Sequence, residues 1–472
     1  MLNPLLNSER ILRRLPIETA MKNLSRHVLW FAILNCVLWA GLATWLKPTM
    51  SLNAIEAYVW SQHFAWGYSK NPYFIGWLSH IGFLTKPSAW GYYLLQFLLT
   101  SVGLLGLWAL CMRLFNDKRI GIVAVFALSL TIFLDYNVFW NNDNFFLIAL
   151  WPLMFLSYIK SLHTPRYWLL TALFAGLALM SKYNTVVFLP FMFLYLLTPK
   201  QRKHFASPWF YAGVVLFIII NLPNLYWSVS NHFQAFQWFQ ERSTDHMSWG
   251  GKIGNIIGNF YLLLLVPGIL WLSGNRFIRY RQPADDIKTF RFIVVWPTIF
   301  TLIGLLVTGQ SIYSEWLVPY GFFAVPMIFA YCSVKPGQQV NTKTLLWIGW
   351  GLFVVKLLIF IVGYGIDTQR NDRSFLPAKQ MAHVAENLWQ QHTHMPLQYV
   401  SGEPHMAGYV AFYSGKPIEY VSMAALRQHG GVIITKGACP KTSLPVAQKR
   451  FAYLGKGNPY GQEICMQLAV LH

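Results

Sequence analysis

Residues 91–112 read GYYLLQFLLTSVGLLGLWALCM, a run without one Asp, Glu, Lys or Arg. A helix needs about 20 mostly apolar residues to cross the hydrocarbon core of a bilayer, so this stretch predicts a spanning helix. Ten further segments of the same kind lie at 28–46, 120–137, 144–160, 167–181, 184–199, 209–227, 254–273, 290–309, 316–333 and 344–365. The expected fold is an α-helical polytopic membrane protein of about 11 transmembrane helices. Residues 73–85 are apolar but too short to cross, and read as re-entrant or interfacial. The first span begins too late, and its flank is too basic, for a cleaved signal peptide.

Composition agrees. Of 472 residues, 55% are hydrophobic and 11% charged, against roughly 25% charged in soluble domains. A disordered chain is excluded and a soluble multidomain enzyme is disfavoured. The net charge of +20 reads as a positive-inside bias, not as a nucleic-acid surface. Arg10, Arg13, Arg14, Lys22 and Arg26 precede the first span, and Arg276, Arg279, Arg281, Lys288 and Arg291 share one later loop. The alternate loops hold only Lys47, Lys70, Lys86, Lys182, Arg242 and Lys252. The N-terminus is therefore expected in the cytoplasm and the C-terminus outside. Most of the acids between the spans fall on outside-facing loops, which makes the outer face the expected working face.

After Tyr364 the composition becomes ordinary. Residues 1–365 are read as a transmembrane domain and 366–472 as a small outer α/β domain, with strand-like runs at 398–400, 418–421, 431–435 and 464–471 and helical patterns at 376–391 and 404–414. Cys439 and Cys465 both fall in this outer domain, where oxidation is permitted. They are expected to pair; the alternative is two unrelated thiols.

The first outer loop, Ser51 to Pro72, contains Asn53, Glu56, Tyr58, Trp60, Phe64, Trp66, Tyr68 and Lys70. Ala57, Trp60 and Phe64 share a helical face, so the segment is expected along the membrane surface. The plain alternative for Glu56 is a first-turn helix acid. The second outer loop carries Asn141, Asn142 and Asp143, where the plain alternative is a helix cap. The third is Ser181-Lys182-Tyr183, with a snorkelling Lys as the alternative. The fourth contains His232, Trp238, Arg242, Asp245 and His246, and the fifth ends at Glu315. Carboxylates and cations at one membrane depth suit a lipid-linked phosphate substrate. The cations hold phosphate, and a carboxylate serves as general base toward a hydroxyl. Glu56 and Asp143, with His63, His232 and His246, also offer ligands for a divalent Mg or Mn ion, though no ligand spacing demands one.

These motifs resemble those of the bacterial polyprenyl-phosphate-dependent glycosyltransferases of the GT-C fold (families 39 and 83), related to the protein O-mannosyltransferases and the lipid A aminoarabinose transferase. The matching places are Asn53-Ala54-Ile55-Glu56-Ala57 with Trp66-Gly67-Tyr68-Ser69-Lys70-Asn71-Pro72; Asn141-Asn142-Asp143; Ser181-Lys182-Tyr183; Pro223-Asn224-Leu225-Tyr226-Trp227 leading to Asn231-His232; and Tyr399 to Pro404 with Ala407 to Tyr413. The resemblance implies an enzyme of the bacterial inner membrane that takes a sugar from a polyprenyl (undecaprenyl) phosphate. Its acceptor is a hydroxyl or phosphate of lipid A, another glycolipid or a protein, at the periplasmic face. Glu56, Lys70 and Asp143 would be catalytic. Asn53, Tyr58, Tyr68, Asn141, Asn142, Lys182, Tyr183, His232, Arg242 and Glu315 would bind substrate. The family usually carries an Asp beside, or three before, the loop Glu; here those positions are Ile55 and Asn53, leaving Glu56 as the sole carboxylate. Its usual His after the basic residue is Asn71. Two other readings stand beside this one: a transporter or flippase of lipid-linked sugars, and a homologue that binds them without catalysis.

Overall fold

The computed structural model describes residues 5–47, 49–131, 143–243, 247–272, 277–279, 283–307, 310–334, 342–366, 376–437, 448–453 and 462–469. Among these, the first half runs α1 (Leu5–Leu46), α2 (Leu52–Ser61), α3 (Phe74–Phe83), α4 (Trp90–Phe115), α5 (Lys118–Ala127), α6 (Phe145–Ser161), α7 (Tyr167–Leu179), α8 (Phe188–Leu196) and α9 (Pro208–Ser230). It continues through α10 (Gln234–Ser243), α11 (Trp249–Phe260), α12 (Leu262–Leu272), α13 (Asp285–Phe290), α14 (Trp296–Val307), α15 (Ser314–Gly321), α16 (Ala324–Tyr331) and α17 (Thr342–Ile366). Two short strands, β1 (Phe277–Arg279) and β2 (Cys332–Val334), pair antiparallel.

The expected apolar segments are helical where they are described, but the count of eleven crossings is refined. Five described helices are long and apolar enough to cross a membrane: Ser25–Leu46, Trp90–Phe115, Pro208–Ser230, Asp285–Val307 and Leu346–Gly363. A sixth is α11 with α12, bent by 47° at Tyr261. The remaining apolar segments fold as shorter helices such as Phe145–Ser161 and Tyr167–Leu179, or as the pair α15 and α16, each of 8 residues. Pro319 and Pro326 lie in these last two, and proline removes a helix hydrogen bond and clashes with the preceding turn. The short segment at 73–85 is the ten-residue α3, about 15 Å long at 1.5 Å per residue and so too short to cross.

The C-terminal part contains α18 (Ala378–Thr393), β3 (Tyr399–Gly402), α19 (Pro404–Tyr413), β4 (Glu419–Tyr420), α20 (Met423–His429), β5 (Gly431–Lys436), β6 (Gln448–Tyr453) and β7 (Gln462–Ala469). Its sheet has the order β4-β3-β5-β7-β6. The first three strands are parallel, and β7 is antiparallel to both of its neighbours. The α19 crossover between β3 and β4 follows from that parallel pairing. The four strands and two helices anticipated in the sequence are present; β6 and α20 are additional. Cys465 on β7 is disulfide-bonded, and its expected partner Cys439 lies outside the described residues.

The helix that carries Glu56 is placed differently from the surface-lying expectation. Ala54 through Ser61 are all buried, because α19 lies across α2. Tyr409 donates its hydroxyl to the Met50 carbonyl at 2.7 Å, and the Met50 N–H donates to the Tyr413 hydroxyl at 2.8 Å. Tyr58 is wedged between Phe83 and Phe412, with ring centroids at 5.3 and 5.1 Å. Gly408 makes this approach possible: a Cβ there would lie 2.7 Å from Ile55 Cγ2 and 2.8 Å from Val59 Cγ2. A Gly408→Val substitution should cost about 1–3 kcal/mol of overpacking. Thermal melting in detergent should show that loss; an unchanged melting temperature would contradict this packing.

Candidate functional site

Ser51 caps α2 by accepting the Ala54 N–H at 3.4 Å, so the helix begins at Leu52. Glu56 thus stands beyond the first turn, and the first-turn acid reading does not hold. Its side chain is 11% exposed and forms an ion pair with Lys70, itself 17% exposed. Burial pushes the Glu56 carboxyl above its ordinary value; the charge and hydrogen bond of Lys70 oppose that, and the Asp143 carboxylate adds to it.

Lys70 is held by the geometry of the 66–72 loop. Gly67 and Pro72 form a bridge, and Tyr68 N–H donates to the Asn71 carbonyl at 2.9 Å. The loop lies so close to α9 that a Cβ on Gly67 would sit 2.2 Å from a Trp227 ring carbon. Tyr68 stacks on Trp60 at 5.3 Å and 14°, and its hydroxyl donates to the His63 carbonyl at 2.9 Å. The Lys70 ammonium lies 5.6 Å from the Trp60 ring centroid and 5.7 Å from that of Trp238, an attractive cation–π arrangement. Trp238 comes from α10, so the aromatic fourth loop covers this cation.

Beside the pair is a second polar cluster. Asn71 Nδ2 donates to Asp143 Oδ2 at 3.3 Å, while buried Asp143 Oδ1 has no hydrogen-bond partner among the described residues. Lys182 Nζ donates to Asn144 Oδ1 at 3.1 Å, and Asn144 Nδ2 donates to the Glu315 carbonyl. Asn144 therefore ties together the segments before α6, after α7 and at the start of α15, and makes no side-chain cap for α6. Lys182 does not snorkel alone into water. Burial lowers its proton affinity, with Asp143, Glu315 and Glu56 acting against that. Tyr183 donates to Asn224 Oδ1 at 3.0 Å, and Asn224 Nδ2 donates to the Trp66 carbonyl at 2.7 Å. This links the site back to the first loop.

Of the residues singled out in the sequence, Glu56, Lys70, Asp143, Lys182 and Glu315 are thus electrostatically joined, with Tyr68 and Tyr183 as scaffolding. Asn53 is half-buried on α2, three residues before Glu56 and so one turn away on the same face. Tyr58 points into the packing against α19, and His232 is exposed after α9 at φ 54°. Neither joins the cluster. Asn141 and Asn142 lie outside the described residues, as does the side chain of Arg242 on α10. Asn71, Asn144, Asn224, Trp60 and Trp238 also border the cluster, and the sequence reading gave them no site role. Asn71 and Asn224 stood inside the quoted motifs, and the polar run Asn141 to Asn144 before a span pointed to Asn144.

Among the described residues, the candidate ligands do not fit a metal. His63 Nε2 is 3.2 Å from the Tyr420 carbonyl, Lys70 occupies Glu56, and His246 is outside the described residues. Among the described residues, no three His, Cys, Asp or Glu side chains gather to hold an ion.

Residues 70–227 match the family model described as dolichyl-phosphate-mannose-protein mannosyltransferase. No curated protein sequence matches the chain. Among solved structures, the fold is similar to that of ArnT from Cupriavidus metallidurans bound to undecaprenyl phosphate. The TM-score is 0.61 at 12% identity, covering 93% of this chain and 97% of the other. The apo state of the same protein matches with a TM-score of 0.55 at 14% identity, covering 94% and 98%. The resemblance read from the motifs is thereby matched in family signature over residues 70–227, and in fold over nearly the whole chain.

Proposed function

We propose that this chain, a polytopic membrane protein of GT-C mannosyltransferase-like type, transfers a sugar from a polyprenyl phosphate to an acceptor at the periplasmic face of a bacterial inner membrane. The observation that carries the reading is the buried Glu56–Lys70 ion pair standing beside Asp143 and Lys182. A base and two cations gathered in one place suit displacement at the anomeric carbon of a phosphate-linked sugar. Glu56 accepts the proton of an acceptor hydroxyl as the oxygen attacks. The bond from the anomeric carbon to the phosphate oxygen breaks, and Lys70 and Lys182 stabilise the charge that develops on the departing polyprenyl phosphate. Asp143, held by Asn71, keeps Lys182 charged in its buried setting and orients the sugar. The N-in orientation from the basic loops, the disulfide at Cys465 and the undecaprenyl phosphate bound by the structurally similar ArnT all support this direction of working.

Mass spectrometry of envelope lipids and glycoproteins, from a host with the gene, without it and with Glu56→Gln, tests the proposal. A hexose-type mass increment present only with the wild-type gene is expected, and it names the acceptor class. An unchanged profile in all three arms would overturn the transferase reading in favour of binding or transport. Lys182→Met should lower transfer roughly ten- to a hundredfold, since hydrogen bonds to charged groups contribute about 1.5–3 kcal/mol. Initial rates in washed membranes check this, and a wild-type rate would remove Lys182 from the site.

A further inference from the structure

Next to the polar cluster is a cavity that the chemistry above does not use. Its walls are Leu128, Ile148, Val318 and Phe322, with Thr131 and Asn259 as polar members. Its empty space, the open mouth included, is about 290 Å³. Contacts on three helices place it. Asn144, which accepts from Lys182 Nζ at 3.1 Å, takes the Ile148 N–H on its own carbonyl at 2.9 Å. Ile148 therefore lies one helical turn, about 5.4 Å, further along α6. Val318 follows Glu315 by three residues on α15 and shares its face. Ser314, beside Glu315, accepts from Asn259 Nδ2 of α11 at 2.9 Å. The cavity thus begins one turn from the residues that hold Lys182, a step that one pyranose ring spans. Asn259 supplies its chemistry. The residue is 5% exposed, and Nδ2 also donates to the Asn255 carbonyl at 2.8 Å. A backbone carbonyl only accepts, which fixes the orientation of the amide. That leaves Oδ1 buried, with no hydrogen-bond partner among the described residues. A buried acceptor without a donor is costly, so the site calls for a ligand O–H or N–H. The four carbon walls call for an apolar group beside that donor.

We propose that this cavity selects the donor sugar, taking one that presents a methyl group beside an O–H or N–H. A 6-deoxyhexose and an N-acetylhexosamine both offer that pair; a plain hexose does not. The inference deepens the transferase reading above and rests on it. The sugar's O–H or N–H donates to Asn259 Oδ1, and its methyl lies against Ile148, Val318, Leu128 and Phe322. The phosphate stays with Lys182, one turn away.

The test measures initial rates in washed membranes that hold the full chain, with endogenous acceptors. The donor probes are undecaprenyl phosphates carrying plain, 6-deoxy and N-acetylamino sugars of the gluco, galacto and manno series. At least one methyl-bearing donor should exceed its plain parent in kcat/KM by about 10–200-fold, the range for one apolar group in a pocket. Which of the two kinds does so tells the deoxy methyl from the acetyl methyl. Val318→Phe fills the cavity and should bring that ratio close to one. Val318→Ala removes part of the wall and should lower the ratio several-fold; it serves where thermal melting shows that the larger side chain prevents folding. A wild-type ratio near one, as a cavity that holds only water gives, overturns the inference and leaves the transferase reading standing. So does a ratio that the folded Val318 variants keep. A wild-type chain inert on every donor overturns both.

Discussion

Glu56→Gln is expected to lower transfer by at least about a hundredfold, because a positioned general base contributes about 10²–10⁴ in rate. The substitution keeps the shape and polarity of the side chain on a helix whose burial is set by α19, so folding should be retained. It also releases Lys70 from its ion pair, so affinity for the donor phosphate should hold or tighten while kcat falls. That separation of KM from kcat is what initial-rate kinetics would read. Residual activity above about a tenth of wild type would sink the base assignment. In the wild type, the acid limb of kcat/KM should lie above the ordinary glutamate range of about 4.3, since burial raises the Glu56 carboxyl. Activity then falls as pH drops through that raised value, because the protonated carboxyl no longer accepts.

Lys70→Met is expected to injure both binding and chemistry. It removes the cation assigned to the leaving phosphate, a loss of about 10²–10³ in kcat by analogy with deleting one preorganised donor. Unlike Glu56→Gln, it should raise the KM for the donor. It also strands Glu56 in a buried setting, and breaking a buried pair by removing one partner typically costs about 3–5 kcal/mol. The double variant Glu56→Gln/Lys70→Met should therefore be more stable than Lys70→Met alone, since the stranded charge is gone. Thermal melting in detergent compares the two; equal or additive losses would mean that the ion pair does not act as a unit.

The sequence made the membrane architecture legible because apolar runs declare themselves locally. Every residue of 91–112 reports on the same helix, and the charged residues Glu56, Lys70, Asp143 and Lys182 are conspicuous as rare charges among apolar segments. What resisted reading is non-local. The burial of α2 depends on Tyr409, which bonds Met50 across 359 positions, and no period in either segment encodes that meeting. The same blindness hid Asn144: as a residue before a helix it looks like a cap, and only the approach of Lys182 and Glu315 reveals its use. Tyr58 is the converse: its sequence position beside a carboxylate says nothing of the Phe83 and Phe412 rings it packs against. Hydropathy registers a prolyl-broken pair such as α15 and α16 in the same way as one straight helix, so it does not tell the five or six long described helices from the shorter apolar ones.

The covering of α2 by α19 also imposes an order on biogenesis. Glu56 is made some 350 residues before the helix that shields α2, and that helix belongs with a sheet that includes β7. Until α19 has been made and has folded, the buried face of α2 lacks this cover. A truncation removing β7 would leave every residue of the Glu56 cluster in the polypeptide, yet deprive it of its lid. The burial of α2 thus depends on a helix that is encoded far away in the chain and docks from the C-terminal sheet.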